Sequence, residues 1–107
     1  MAGDFEAIIV TVKERTAQAH AAGTGPLGHR IKFDVLGEGV FILDGLDVPA
    51  QVLVEDGEAD ATLTLSLETL EQLLSRQINP VFAYMSGKLK VAGNQQAALR
   101  LVSLFED

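Results

Sequence analysis

At 107 residues and a formal charge of −7, with no cysteine, the chain reads as one domain over residues 1–107. It has no disulfide framework, thiolate nucleophile or Cys-based metal site, and no apolar run near the ~20 residues of a membrane span. No Lys or Arg lies between Lys32 and Arg76, whereas Asp34, Glu38, Asp44, Asp47, Glu55, Asp56, Glu58, Asp60, Glu68 and Glu71 all do; such a face repels nucleic acid and disfavours stable docking on, or insertion into, an acidic membrane.

From Asp4 to about Ala21 the spacing predicts a helix. Phe5, Ile8, Ile9, Val12, Thr16 and Ala19 fall on one face, although the β-branched run Ile8–Val12 would also suit a strand. The Gly-rich stretch Ala21–Gly28 ends it. Four strands are then expected at Ile31–Leu36, Val40–Leu43, Gln51–Val54 and Ala61–Leu65, the first three forming an antiparallel meander. Pro49 puts the third late or near a sheet edge. Asp56-Gly57 carries a turn signal, and a hairpin turn accounts for the acidic run Glu55–Asp60, which lacks the carboxylate spacing of a calcium loop. Ser66 is placed to cap a helix over Leu67–Gln77 with Leu67, Leu70, Leu74 and Ile78 as its apolar stripe.

The densest stretch is Asn79–Asn94. Pro80 suits a first helical position, Phe82, Tyr84 and Met85 crowd one short segment, and Gly87 ends it. Lys88–Ala92 alternates as a half-buried strand with both lysines outward, Gly93 turns the chain, and Asn94 caps a last helix from Gln95 to Phe105. In that helix Ala97, Ala98, Leu99, Leu101, Val102, Leu104 and Phe105 spread over roughly 200° of the circumference at 3.6 residues per turn. A helix lying only on a sheet needs a stripe of about 100°. A second side of this helix therefore meets something apolar: the N-terminal helix, a ligand or a partner.

No catalytic set emerges. His20 and His29 lack acidic residues at metal-binding spacing, Ser86 has no nucleophile elbow or partner His–Asp pair, and Gly87-Lys88 precedes a strand where a phosphate loop precedes a helix. The expectation is a non-enzyme without cofactor or metal. What remains is apolar: Phe82, Tyr84, Met85, Leu99, Val102 and Phe105 gather around one helix–strand–helix unit, which residue type alone leaves open between a filled core and a pocket.

Asn79, Pro80, Phe82, Tyr84, Gly87, Lys88, Leu89, Lys90, Gly93 and Asn94 resemble the sterol carrier protein type 2 family, strongly from about Ala59 to Leu101 and loosely before. The residue reading expects an α+β fold, a five-stranded, mostly antiparallel sheet covered on one face by helices. The resemblance implies the same layers with an apolar tunnel between them, which binds and transfers a sterol-like, fatty-acyl or isoprenoid lipid without catalysis. Its lipid-facing layer would comprise Phe33, Phe41, Phe82, Tyr84, Met85, Leu99, Val102 and Phe105, of which Phe82 and Tyr84 rest on the shared motif and the others on pattern. The competing reading is a protein-interaction or homodimerisation module with a filled core. A cytoplasmic location is expected from the missing cysteines and signal peptide. The sequence runs out two residues after Phe105. The C-terminal extension and peroxisomal tail of some family members are therefore not expected.

Overall fold

The computed structural model describes residues 2–21, 28–46 and 51–98, with only the backbone of 2–4 and 19–21. Helix α1 (Ala2–Ala21) leads into strands β1 (Arg30–Val35), β2 (Gly39–Asp44) and β3 (Gln51–Leu53). Strand β4 (Ala61–Leu65), helices α2 (Leu67–Leu74) and α3 (Pro80–Met85), and strand β5 (Leu89–Gly93) follow. A further helical turn occupies 95–98, where the Asn94 carboxamide accepts from the N–H groups of Gln96 and Ala97 at 2.9 and 3.2 Å. The rest of the expected last helix lies outside the described residues.

The five strands lie in the order β3-β2-β1-β4-β5. All neighbours are antiparallel except β1 and β4, which pair in parallel with Phe33 opposite Leu63. The first three strands make the expected meander, and β3, preceded by Pro49, is an edge. The expected hairpin at Asp56-Gly57 does not form. Strand β3 pairs with β2 and β4 with β1, so the chain must cross two strands between them. The segment 54–60 makes that crossing over the sheet face away from the helices. Lys32 Nζ meets Asp56 Oδ1 at 2.7 Å, and a Cβ on Gly57 would stand 3.5 Å from Ile42 Cδ1, beneath which Ile42 is buried.

Alternation sorts the sheet into two faces. Ile31, Phe33 and Val35 of β1, Phe41 and Leu43 of β2, and Ala61, Leu63 and Leu65 of β4 are buried under the helices. Helix α1 adds Ile8, Ile9 and Val12, and α2 adds Leu70, Leu73 and Leu74. Ser66 caps α2 as its type allows, its hydroxyl accepting from the Thr69 N–H at 3.1 Å. Helix α2 stops at Leu74, short of the expected Gln77. The Ser75 hydroxyl donates to the Glu71 carbonyl at 2.9 Å, and Arg76 takes a left-handed φ of 62°. Both divert the backbone before Asn79-Pro80 can start another helix.

Candidate functional site

Helix α3 is short and one-sided. The Asn79 carboxamide accepts from the Val81 N–H at 2.8 Å, and Pro80 needs no donor at the first position. The helix packs on edge strand β5 through small residues, burying Pro80 and Ala83. Its bulky side chains consequently point away: Phe82 is 58%, Tyr84 51% and Met85 79% exposed, with Val81 beside them. Gly87, at a φ of 81°, turns the chain, and the Lys88 N–H returns to the Ala83 carbonyl at 2.9 Å.

The sheet-side candidates behave oppositely. Phe33 and Phe41 are register partners buried under the helices, and the Phe5 ring lies tilted against Phe41 at 6.2 Å. Of the eight residues expected to face lipid, two thus lie in the core floor and three on the outer side of α3. Leu99, Val102 and Phe105 lie outside the described residues. The space between Phe82 and the last helix is therefore not described.

An open groove of about 330 Å³ runs between α1 and α2, lined by Ala7, Ile8, Thr11, Glu71, Leu74 and Ser75. Its floor is the core itself, because Ile8 and Leu74 are also core residues. The Arg15 guanidinium donates to the Leu74 carbonyl and links the two helices beside it. The sequence reading did not single out this groove. A signal existed in Ala7 and Thr11, small residues one turn apart and flanking the apolar stripe of α1.

Among the described residues no group of three or more His, Cys, Asp or Glu side chains could hold a metal ion. His29 Nδ1 lies 3.7 Å from Asp60 Oδ2, an oxygen that already accepts from the Arg30 N–H at 2.8 Å. The Asp56 carboxyl is held below its ordinary 3.8, chiefly by its hydrogen bond from Lys32, then by the Gly57 N–H and the Lys32 charge. Both contacts serve the crossing segment, on the sheet face away from the groove.

The geometry is that of a helical layer over one face of a mixed sheet, with apolar surface showing at its seams. The SCP-2 sterol transfer family model matches residues 8–106. The chain belongs to the SCP-2 sterol transfer family. Rat sterol carrier protein 2 is 37% identical over 68 residues, 63% of this chain but 12% of that protein. Human stomatin-like protein 1 is 42% identical over 52 residues, 49% of this chain and 13% of that one. The chain thus spans a small part of the curated relatives it matches.

Among solved structures, sterol carrier protein domain 2 of Helicoverpa armigera is 26% identical, with a TM-score of 0.65 over 75% of this chain and 68% of its own. Sterol carrier protein 2 of Aedes aegypti, solved in complex with the C16 fatty acid palmitate, shares the fold with a TM-score of 0.76. It is 18% identical and covers 99% of this chain and 97% of its own. The SCP-2 fold is therefore matched along nearly the whole chain, beyond the stretch where the sequence likeness is strong.

Proposed function

We propose that this SCP-2 domain binds an apolar lipid tail between its helical layer and its sheet and passes the lipid on, with no chemistry of its own. The observation that carries the reading is the groove between α1 and α2, whose floor residues Ile8 and Leu74 belong to the core. A tail laid there reaches apolar contacts without crossing a polar layer. Its volume of about 330 Å³ falls in the lower part of the range for small-molecule pockets, roughly 300–1,000 Å³. Family membership supports a lipid, and the palmitate complex of the Aedes aegypti protein supports the fatty-acyl class over the sterol-like and isoprenoid ones.

Phe33 and Phe41 then form the floor that a deeper tail would reach. Phe82, Tyr84 and Met85, with Leu99, Val102 and Phe105, form the far rim of the tunnel in this proposal. Burying methylenes stabilises such a complex by about 0.8 kcal/mol each before the costs of association, so broad specificity for chain-bearing lipids follows. Native mass spectrometry of freshly purified protein tests it, together with uptake of a fluorescent fatty acid. Co-purifying lipid or saturable uptake is expected; a clean apo mass with no uptake overturns it.

A further inference from the structure

Strand β5 ends one side of the sheet, and its outer edge has no neighbouring strand among the described residues. The register fixes which backbone groups that edge presents. The Leu36 N–H donates to the Leu65 carbonyl at 2.9 Å, so Leu65 turns its polar backbone toward β1, and Leu63 and Ala61 do so by alternation. Thr64 and Thr62 turn the other way and bond their register partners Lys90 and Ala92. The Asn94 N–H, donating to the Asp60 carbonyl at 2.9 Å, continues that ladder. Leu89, Val91 and Gly93 are the unbonded partners, and their N–H and C=O groups point out of the edge. A row of this kind is a template for a further strand.

The two faces of the edge differ in chemistry. On the helix side Leu89 is buried and Val91 half-buried. Above them α3 packs on β5, carries no charged residue and shows Val81, Phe82, Tyr84 and Met85 to the outside. On the opposite face Lys90 ends a row that runs Val40, Asp34, Thr64 and Lys90 across β2, β1, β4 and β5. Lys90 is exposed, and no ion pair engages it among the described residues. The carboxylate of its own row, Asp34, stands two strands away, about 10 Å. A strand added to β5 would lie about 5 Å from Lys90 and about 14 Å from Asp34, beyond the screening length at 0.1 M salt.

We infer that the free edge of β5 takes up an extended segment of a partner protein, in which a carboxylate opposite Lys90 lies between two apolar residues that face the helix side. Main-chain bonds to Leu89, Val91 and Gly93 would hold the segment, and its alternate side chains would select it. If the segment runs antiparallel, the residue opposite Lys90 takes the unbonded position, where side chains stand closest. One carboxylate suits the site better than an acidic run, because the chain as a whole carries −7. A second copy of the chain is the poorer occupant. Two β5 edges paired about Val91 would set the two copies of Lys90 diagonally across from each other, roughly 7–8 Å apart. The lysine that discourages self-pairing thus favours an acidic guest. Lipid binding in the α1–α2 groove involves none of these groups.

The probe is a rhodamine-labelled peptide, Gly-Thr-Val-Glu-Val-Thr-Gly, titrated with the full chain and read by anisotropy and by amide chemical shifts. Expected are saturable binding, shifts centred on Leu89, Val91 and Gly93, and slowed exchange of the Val91 amide. Replacing the peptide's Glu by Lys should weaken binding about fivefold, and Lys90→Glu in the protein should reverse that preference. N-methylation of both peptide valines, whose N–H groups would bond the edge, should weaken binding about tenfold or more. N-methylation of the Glu, whose N–H points away, should be tolerated. These changes lie in the peptide and leave the protein's fold untouched. Fatty-acid uptake by Lys90→Glu should be unchanged.

Absence of binding at millimolar peptide overturns the inference. So does equal affinity for the Glu and Lys peptides, equal loss from either N-methylation, or shifts that map away from β5. A dimer in sedimentation equilibrium whose dilution shifts the Val91 amide also overturns it, because the edge would then belong to a second copy.

Discussion

Phe33 and Phe41 face each other across β1 and β2 with ring centroids 4.6 Å apart and planes inclined by 8°. The pair is almost wholly shielded, Phe33 at 1% and Phe41 at 0% exposure, and sits where the meander joins the parallel pair of strands. Phe41→Ala removes a side chain that Phe33 on the sheet and Phe5 on α1 both touch. A loss of about 3–5 kcal/mol is expected, as for other buried aromatic truncations. Urea unfolding should show it as a lower midpoint at an unchanged slope.

Gly93 and Gly87 separate two reasons for a glycine. Both take left-handed φ, 87° and 81°, but a Cβ at Gly87 meets nothing, whereas one at Gly93 would stand 2.6 Å from the Asp60 carbonyl oxygen. That carbonyl also accepts from the Asn94 N–H at 2.9 Å, so the Asp60 backbone cannot retreat without loss. Gly87→Ala should cost about 1–2 kcal/mol of backbone strain. Gly93→Ala should cost at least ~1 kcal/mol more, within the range of strained backbone positions, and should loosen the β4–β5 pairing in amide hydrogen exchange.

Much of this was legible because local rules and burial agree. The alternation of Ile31, Phe33 and Val35 placed β1, and its helix-side residues are all buried. The helical stripe of Ile8, Ile9 and Val12 overruled the β-branched character of the same residues. What was not legible depends on partners distant in the chain. Asp56-Gly57 has the composition of a hairpin turn, and only the parallel pairing of β4 with β1 turns it into a crossing segment. Likewise Phe82, Tyr84 and Met85 have the composition of core residues. They are exposed because Pro80 and Ala83 take the contact with the fold on the other side of the same short helix.

The crossing segment should carry a signature in acid. Asp56 Oδ1 receives Lys32 Nζ at 2.7 Å and the Gly57 N–H at 2.8 Å, and its folded pKa lies below 3.8. A depressed carboxyl contributes stability that is fully present above its unfolded pKa and is lost as pH falls through the lower, folded value. Carboxyl-carbon NMR titration should therefore place the Asp56 midpoint below 3.8, and Lys32→Met should move it upward. Asp56→Asn should flatten the stability–pH curve below about pH 4: the variant is slightly less stable throughout the neutral range and converges with the parent chain in acid, the difference being small because Asp56 is exposed.

The groove between α1 and α2 offers a way to ask what headgroup the lipid carries. Ala7→Leu with Thr11→Leu puts side chains where a tail would lie. Excluding about two methylenes, at about 0.8 kcal/mol each, should weaken fatty-acid uptake by about tenfold with the unfolding midpoint little changed. Glu71 stands on the same wall with its carboxylate exposed and negative. It would repel a carboxylate head held nearby and leave a neutral one unaffected. Glu71→Gln should then tighten palmitate binding by about two- to fivefold, as for a partly screened surface charge pair, and leave binding of the matching C16 alcohol unchanged. Equal changes for acid and alcohol, measured by competition with a fluorescent fatty acid, would place the headgroup away from this wall. Loss of tail-dependent affinity on filling the groove would still locate the chain within it.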